Sequence, residues 1–177
     1  MRAFADDLSK SDTAFVAHVW PAISEALGGG RLEKVPHQHP LDRYGGVDFW
    51  QVRDDITVLR GLAVRVQDRR AWDTFTIRKA RPSGAGTEWE KRLRARDSAE
   101  TWLLPALTIQ AYVTDYEAGP LLSVAWMKTA DLMWHVRNGL GNDRVNGDDG
   151  VIFSYVEWTE IPAHEVTIVR PHNVRAA

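Results

Sequence analysis

The chain has 177 residues, enough for one domain with its own core, and its 44% hydrophobic and 26% charged residues are typical of globular proteins. It contains no cysteine, which excludes disulfides, thiolate metal sites and cysteine nucleophiles. Neither a signal-peptide pattern nor an apolar run near the roughly 18 residues of a membrane-spanning helix occurs, so we expect a cytoplasmic protein without a membrane partner.

The first half of the chain predicts one helix followed by strands. Residues 12–27 repeat apolar positions at helical spacing, Asp12 can cap the helix, and Pro21 should kink or divide it. Residues 31–45 are rich in proline, histidine and charge and predict a connection. Alternating or apolar runs then predict strands at 46–53, 61–67 and 74–79.

The second half adds two helices and more strands. A helix is predicted at 87–96, where Thr87 and Glu90 match a capping box, and another at 129–137. Strands are predicted at 106–114 and 121–128, with a last strand pair or an edge at 151–158 and 165–169, while 81–86 and 138–150 are loops. This order predicts a single α/β domain over residues 1–177, with a central mixed sheet flanked by helices.

Charge is distributed unevenly along the chain. The net charge is −2, yet residues 60–96 hold 11 of the 22 lysines and arginines and four of the 24 acids. A local excess of positive charge on an acidic protein is typical of a surface that binds a polyanion. The alternative is a solvated basic face that is balanced by acidic neighbours in space.

Two neighbouring strands carry polar residues that are unusual in apolar surroundings. Asp48 lies in the run Gly46-Val-Asp-Phe-Trp, and Arg65 and Gln67 follow at alternate positions in Leu62-Ala-Val-Arg-Val-Gln. A buried acid is costly without a cation or a donor nearby. The pattern therefore predicts a polar site built on the sheet, and the alternative is an ion pair at a strand end.

The order of these segments resembles the PD-(D/E)xK nuclease superfamily, particularly its Holliday-junction-resolvase and restriction-endonuclease members. A helix precedes Gly46-Val-Asp48, the next strand has the form of Leu62-Ala-Val-Arg65-Val, and a further strand and helix follow, so the resemblance covers about residues 12–136. It implies a restriction-endonuclease-like core in which two acids hold Mg²⁺, or alternatively Mn²⁺, next to a lysine. The metal would activate water and stabilise the phosphate.

The chain departs from that family pattern at its second acid. Asp48 matches the first acid and is the implied metal ligand, whereas Ala63 stands where the second acid is expected and Arg65 where the lysine is expected. Arginine stays protonated, so Arg65 would stabilise phosphate charge rather than act as a base, and Gln67 would position water or substrate. A metal would need another ligand, and the candidates are Glu25, Glu33, Asp42 and Gln67.

These patterns predict a protein that acts on nucleic acid, DNA in preference to RNA, as a magnesium-dependent endonuclease. The basic residues expected to contact the backbone are Arg69, Arg70, Arg78, Lys79 and Arg81, and Trp72 among them could stack on a base. Two alternatives remain: a catalytically inactive nuclease-like protein that binds nucleic acid, and a protein-interaction module of a phage or mobile element. The resemblance also implies a homodimer.

Overall fold

The computed structural model describes residues 9–36, 39–53, 59–97, 104–147 and 149–171, which form a single α/β domain with a mixed sheet. The first helix, α1, comprises residues 9–14, a π-helical stretch Phe15–Val19 and Trp20–Ile23. The Trp20 amide donates to the Phe15 carbonyl five residues back, directly before Pro21. The predicted irregularity therefore takes the form of a widened turn, since proline has no amide to continue the α-helical ladder.

Six strands form the larger sheet, and their order in space is β1-β2-β3-β5-β6-β9. These strands are β1 Arg31–Lys34, β2 Phe49–Val52, β3 Leu59–Gln67, β5 Leu107–Val113, β6 Leu121–Lys128 and β9 Val166–Val169. Strands β3 and β5 are parallel, and every other neighbouring pair is antiparallel. The parallel pair requires a crossover, and the chain between the two strands contains a strand and a helix of its own.

A second sheet consists of three antiparallel strands that pair with one another. It has the order β4-β8-β7, with β4 Thr74–Ala80, β7 Asn142–Val145 and β8 Ile152–Glu157. In the described part of the chain the further helices are α2 Glu88–Asp97 and α3 Thr129–Arg137, with a 3₁₀ turn at Trp158–Glu160 and a π-helical turn at Leu41–Gly45. Among the described residues, no helix is long and apolar enough to cross a membrane.

Two apolar clusters cover the two faces of the larger sheet. On one face Phe15 and other residues of α1 pack on Leu62, Val66 and Ile109. On the other face Tyr112 and Met127 pack on the second sheet and on α3. The sheet is thus covered by a helix on one side and by a mixed layer on the other, and the candidate site lies in that mixed layer.

Several boundaries differ from the sequence prediction for one physical reason. The connection predicted at 31–45 contains β1 and the π-helical turn, and the loop predicted at 138–150 contains β7. Most residues of β1 and all four of β7 are exposed, so neither strand carries the apolar alternation that marks a half-buried strand. The strand predicted at 74–79 exists, but it pairs with β8 rather than with the central sheet.

Candidate functional site

Asp48 occupies the predicted position at the start of β2. Its backbone amide donates to the Leu62 carbonyl over 2.9 Å, and its carboxylate Oδ2 accepts from the Val64 amide over 2.7 Å. Gly46 just before it has φ of 70°, a left-handed conformation that suits glycine and ends the π-helical turn. The half-buried carboxylate is therefore fixed against the backbone of β3.

The face of β3 opposite α1 carries polar side chains. Alternation places Ala63, Arg65 and Gln67 on that face, and the Arg65 guanidinium lies 5.1 Å from the centre of the Phe153 ring on β8. Gln67 Oε1 accepts from Gln110 Nε2 over 3.0 Å, and Gln110 Oε1 accepts from the Thr76 hydroxyl over 3.2 Å. This chain of hydrogen bonds runs from β4 through β5 to β3 and links the two sheets.

Helix α2 brings further charged groups to the same place. Glu88 Oε2 accepts from the Arg78 backbone amide over 3.2 Å, and Lys91 Nζ donates to the Asp42 carbonyl over 2.7 Å. Arg92, on the same helix, is only 4% exposed. Residues 88, 91 and 92 share a helix face because they are separated by three and four positions.

These groups line a cavity of about 260 Å³, which we call the arginine cavity. Its charged lining residues are Asp42, Asp48, Arg65, Arg78, Arg81, Glu88, Lys91 and Arg92. A neighbouring cavity of about 300 Å³ shares Asp48, Arg65, Arg78 and Glu88 with it. Five cations against three acids make the lining net positive even when every acid is ionised.

The surroundings of Asp48 favour the protonated form of its carboxyl group. Burial raises the pKa of Asp48 to about 8, the hydrogen bond from Val64 opposes this rise, and the acids Glu88, Asp12 and Asp42 add to it. Burial therefore favours the neutral form of the Asp48 carboxyl, whereas a cation beside it would favour the carboxylate.

Glu88 behaves in the opposite way within the same cavity. Burial alone would raise its pKa, but Arg65, Arg92 and Arg78 together lower it below the ordinary value. Glu88 is thus ionised and balanced by guanidinium groups. Burial also lowers the pKa of Arg92 and of Arg78, although arginine starts so high that both remain charged.

Some buried guanidinium nitrogens have no hydrogen-bond partner among the described residues. Among them are Nε and Nη1 of Arg92 and Nη1 of Arg65, which line the arginine cavity. A buried donor that is left unsatisfied costs roughly 1–3 kcal/mol, and more when it is charged. These unsatisfied donors point to an anion as the missing partner.

The structure brings together some of the predicted site residues. Asp48, Arg65, Arg78 and Arg81 meet in the arginine cavity, and Gln67 lies beside them in the neighbouring one. Ala63 lines the arginine cavity but offers no ligand atom.

Other predicted site residues lie elsewhere. Lys79 pairs with Asp143 over 2.9 Å, and Arg69 and Arg70 are exposed in the loop after β3. Glu25 is exposed in the turn after α1 and is not among the residues that line either cavity with Asp48. The pair of Asp48 and Glu25, predicted as metal ligands, is therefore not assembled.

Sequence reasoning missed Glu88, Lys91 and Arg92. The sequence predicts a capped helix in this segment, and the structure confirms it: Thr87 N donates to Glu90 Oε2 over 2.8 Å, and Glu90 N donates to the Thr87 hydroxyl over 3.4 Å. The signal that could have found these residues is their helical spacing, which puts one acid and two cations on one face of a short helix.

Comparison of the chain with protein-family models, with curated proteins and with solved structures gave no match. Within the described part of the chain, no group of three or more histidine or acidic side chains is placed to hold a metal ion.

Proposed function

We propose that the arginine cavity binds the phosphodiester backbone of a nucleic acid. The observation that carries this proposal is the set of buried guanidinium donors on Arg65 and Arg92 that lack a partner among the described residues. Arginine suits phosphate because its planar fork donates two parallel hydrogen bonds to two oxygens. A phosphate would satisfy these donors and offset the positive lining.

The chain order around the cavity supports the resemblance to the PD-(D/E)xK superfamily. Helix α1 is followed by the antiparallel strands β1, β2 and β3, then by β4 of the second sheet, by α2, and by β5, which is parallel to β3. Asp48 and Arg65 lie on neighbouring strands at one cavity, as the resemblance implies for the first acid and the basic residue. DNA is the backbone we favour, with RNA as the alternative.

A specific observation favours a second candidate, hydrolysis of the bound phosphodiester. Glu88 shares the cavity with Asp48 and so supplies, from a helix, the second carboxylate that Ala63 does not. Two carboxylates fit the way Mg²⁺ is commonly held, by one or two carboxylates together with a substrate phosphate. Mn²⁺, which prefers similar oxygen ligands, is the alternative.

In hydrolysis, different residues of the cavity would bind the metal, stabilise the phosphate and orient the water or the substrate. Asp48 and Glu88 would hold Mg²⁺, whose chemistry when bound is to polarise the phosphodiester and activate water. Arg65 and Arg92 would stabilise the charge that develops on the phosphate oxygens. Gln67, fixed by Gln110, would orient the water or the substrate.

Backbone binding is tested with single-stranded DNA, duplex DNA and RNA of equal length in fluorescence anisotropy between 50 and 200 mM salt, as a salt range of about this width resolves phosphate contacts. We expect Arg92→Gln to lower affinity and to reduce the slope of log K against log salt by about 0.7–0.9, the value for one lost phosphate contact. Arg94→Gln is the matched control, because Arg94 is exposed on the same helix and is not part of the cavity lining. An unchanged slope in folded Arg92→Gln would contradict the proposal.

Hydrolysis is tested on the same nucleic acids with Mg²⁺ or Mn²⁺. Metal-dependent cutting that is lost in both Asp48→Asn and Glu88→Gln would support the endonuclease. Salt-dependent binding without cutting would support a catalytically inactive binding protein. If the wild-type protein binds no nucleic acid at 50 mM salt, both candidates fail and the protein-interaction module becomes the better hypothesis.

A further inference from the structure

A third cavity lies next to the arginine cavity, and its lining is rich in aromatic and amide side chains. It measures about 480 Å³, within the range of small-molecule sites, and we call it the aromatic pocket. Its characteristic lining residues are Gln67, Trp72, Arg144, Asn146, Phe153 and Tyr155. Aromatic rings with neighbouring amides are the groups by which proteins stack on a nucleobase and hydrogen-bond its edge.

The two cavities are neighbours that share two lining residues. Arg65 lines both, and so does Thr76. A nucleotide whose phosphate meets Arg65 from the arginine cavity therefore has an aromatic pocket within reach of its base. Arg65 also lies over the Phe153 ring at 5.1 Å, so the cation and the aromatic surface are held together.

Trp72 presents an exposed ring on an anchored loop. Its side chain is 53% exposed, and the Arg70 guanidinium lies 4.3 Å from the ring centre. The next residue, Asp73, has φ of 51° and is held by the Ser123 hydroxyl at 2.7 Å and by Arg170 at 2.6 Å. These two contacts to the Asp73 carboxylate anchor the loop that carries Trp72.

We infer that the aromatic pocket takes one unstacked nucleobase adjacent to the phosphate in the arginine cavity, which makes single-stranded nucleic acid the substrate class. This inference rests on the proposed backbone binding. The pocket lies between the two sheets, with lining residues on β3, β4, β7 and β8. A base that is paired and stacked in a duplex would have to leave the stack before it could enter.

The experiment compares three probes of equal length on the full chain: single-stranded oligothymidylate, an oligomer with the same phosphates but abasic sugars, and a blunt duplex. We expect wild-type protein to bind oligothymidylate about 5- to 150-fold more tightly than the abasic strand, the range for stacking one base on an aromatic ring. In Trp72→Ala this advantage should vanish while abasic affinity is unchanged, and Trp72→Phe should retain most of it.

Trp134→Ala is the matched control, because Trp134 is 60% exposed on α3 and lines neither cavity. Equal affinity of the wild-type protein for the abasic strand and oligothymidylate, or for the duplex and oligothymidylate, would overturn the base pocket and leave backbone binding intact. No binding of any probe would overturn the backbone proposal as well, so the two failures are distinguishable.

Discussion

Asp48 and Glu88 line one cavity, yet their ionisation is shifted in opposite directions. Burial raises the pKa of Asp48 to about 8, whereas three arginines lower the pKa of Glu88 despite its burial. The difference arises because the guanidinium groups act chiefly on Glu88, while Asp48 is held by a backbone amide. Paired acids of unlike pKa are typical of functional sites.

The first prediction concerns stability and pH in Asp48→Asn. The pKa of Asp48 is higher in the folded protein than its ordinary 3.8, so its stabilising contribution is complete below that value and is lost as pH rises through about 8. The asparagine side chain of the variant cannot titrate, so its thermal unfolding should depend less on pH between about 6 and 9 than that of the wild type. An equally steep loss of Tm in both proteins would contradict the assignment.

The next prediction concerns the variant Glu88→Gln, because the contribution of Glu88 to stability should depend on pH in the opposite sense to that of Asp48. The pKa of Glu88 is lowered on folding, so its contribution is present at neutral pH and is lost in acid. We expect this variant to lose about 1–3 kcal/mol at pH 7 because buried guanidinium groups lose their counter-charge. The loss should shrink progressively as pH falls below the ordinary value of 4.5 and through the lowered pKa of folded Glu88. Urea unfolding of both proteins over a pH series from neutral to acid measures the difference, and a loss that stays constant down to the acid limit of folding would contradict the expected ionisation of Glu88.

At the scale of elements, the first turns of α2 supply charged side chains to the arginine cavity. The capping box of Thr87 and Glu90 fixes where the helix begins, and the Thr87 hydroxyl also donates to the Lys79 carbonyl over 3.3 Å. Since Glu88 follows the cap directly, the position of its carboxylate depends on that hydrogen bonding. Lys91 and Arg92 lie one turn later.

A further prediction concerns the N-terminal cap of α2. Thr87→Ala should cost about 1 kcal/mol, the usual loss for an N-cap, and lower Tm by roughly 2–4 °C in a protein of this size. Nucleic-acid affinity should fall together with stability. Glu90→Gln, which keeps a capping-box acceptor, should change Tm little, and a loss equal to that of Thr87→Ala would argue against the box.

At the scale of the molecule, the two sheets are joined through Tyr112. Its hydroxyl donates to the Thr74 carbonyl over 2.9 Å and accepts from the Thr74 amide over 3.3 Å, so β5 is tied to β4. Its ring lies 5.7 Å from that of Trp158 in the apolar cluster between the sheets. Burial raises the pKa of Tyr112, which fits an uncharged hydroxyl in this place.

The last prediction tests the junction that Tyr112 makes between the two sheets. Tyr112→Phe leaves the Thr74 backbone amide and carbonyl without their partner and should cost about 1–3 kcal/mol. Far-ultraviolet and near-ultraviolet circular dichroism should still give one coincident transition, because the sheets share a core. Tyr44→Phe, at a residue 42% exposed, should stay within about 0.5 kcal/mol of the wild type. Loss of the far-ultraviolet signal in two separate steps would show that the sheets unfold independently.

The sequence by itself determined most elements and part of the site. Apolar periodicity located the central strands and the helices, and it placed Asp48 and Arg65 on adjacent segments. The reason is that a helix or strand with one buried face repeats its apolar residues at the period of that structure. The exposed strands β1 and β7 carry no such period and were missed.

Only the tertiary structure decided that β4 leaves the central sheet to pair with β8, about seventy residues later in the chain. It also decided that Glu88 and Arg92 face Asp48, whereas Glu25 does not line the cavity. The physical reason is that periodicity reports whether a residue is buried, while pairing across long stretches of chain decides which residue it meets.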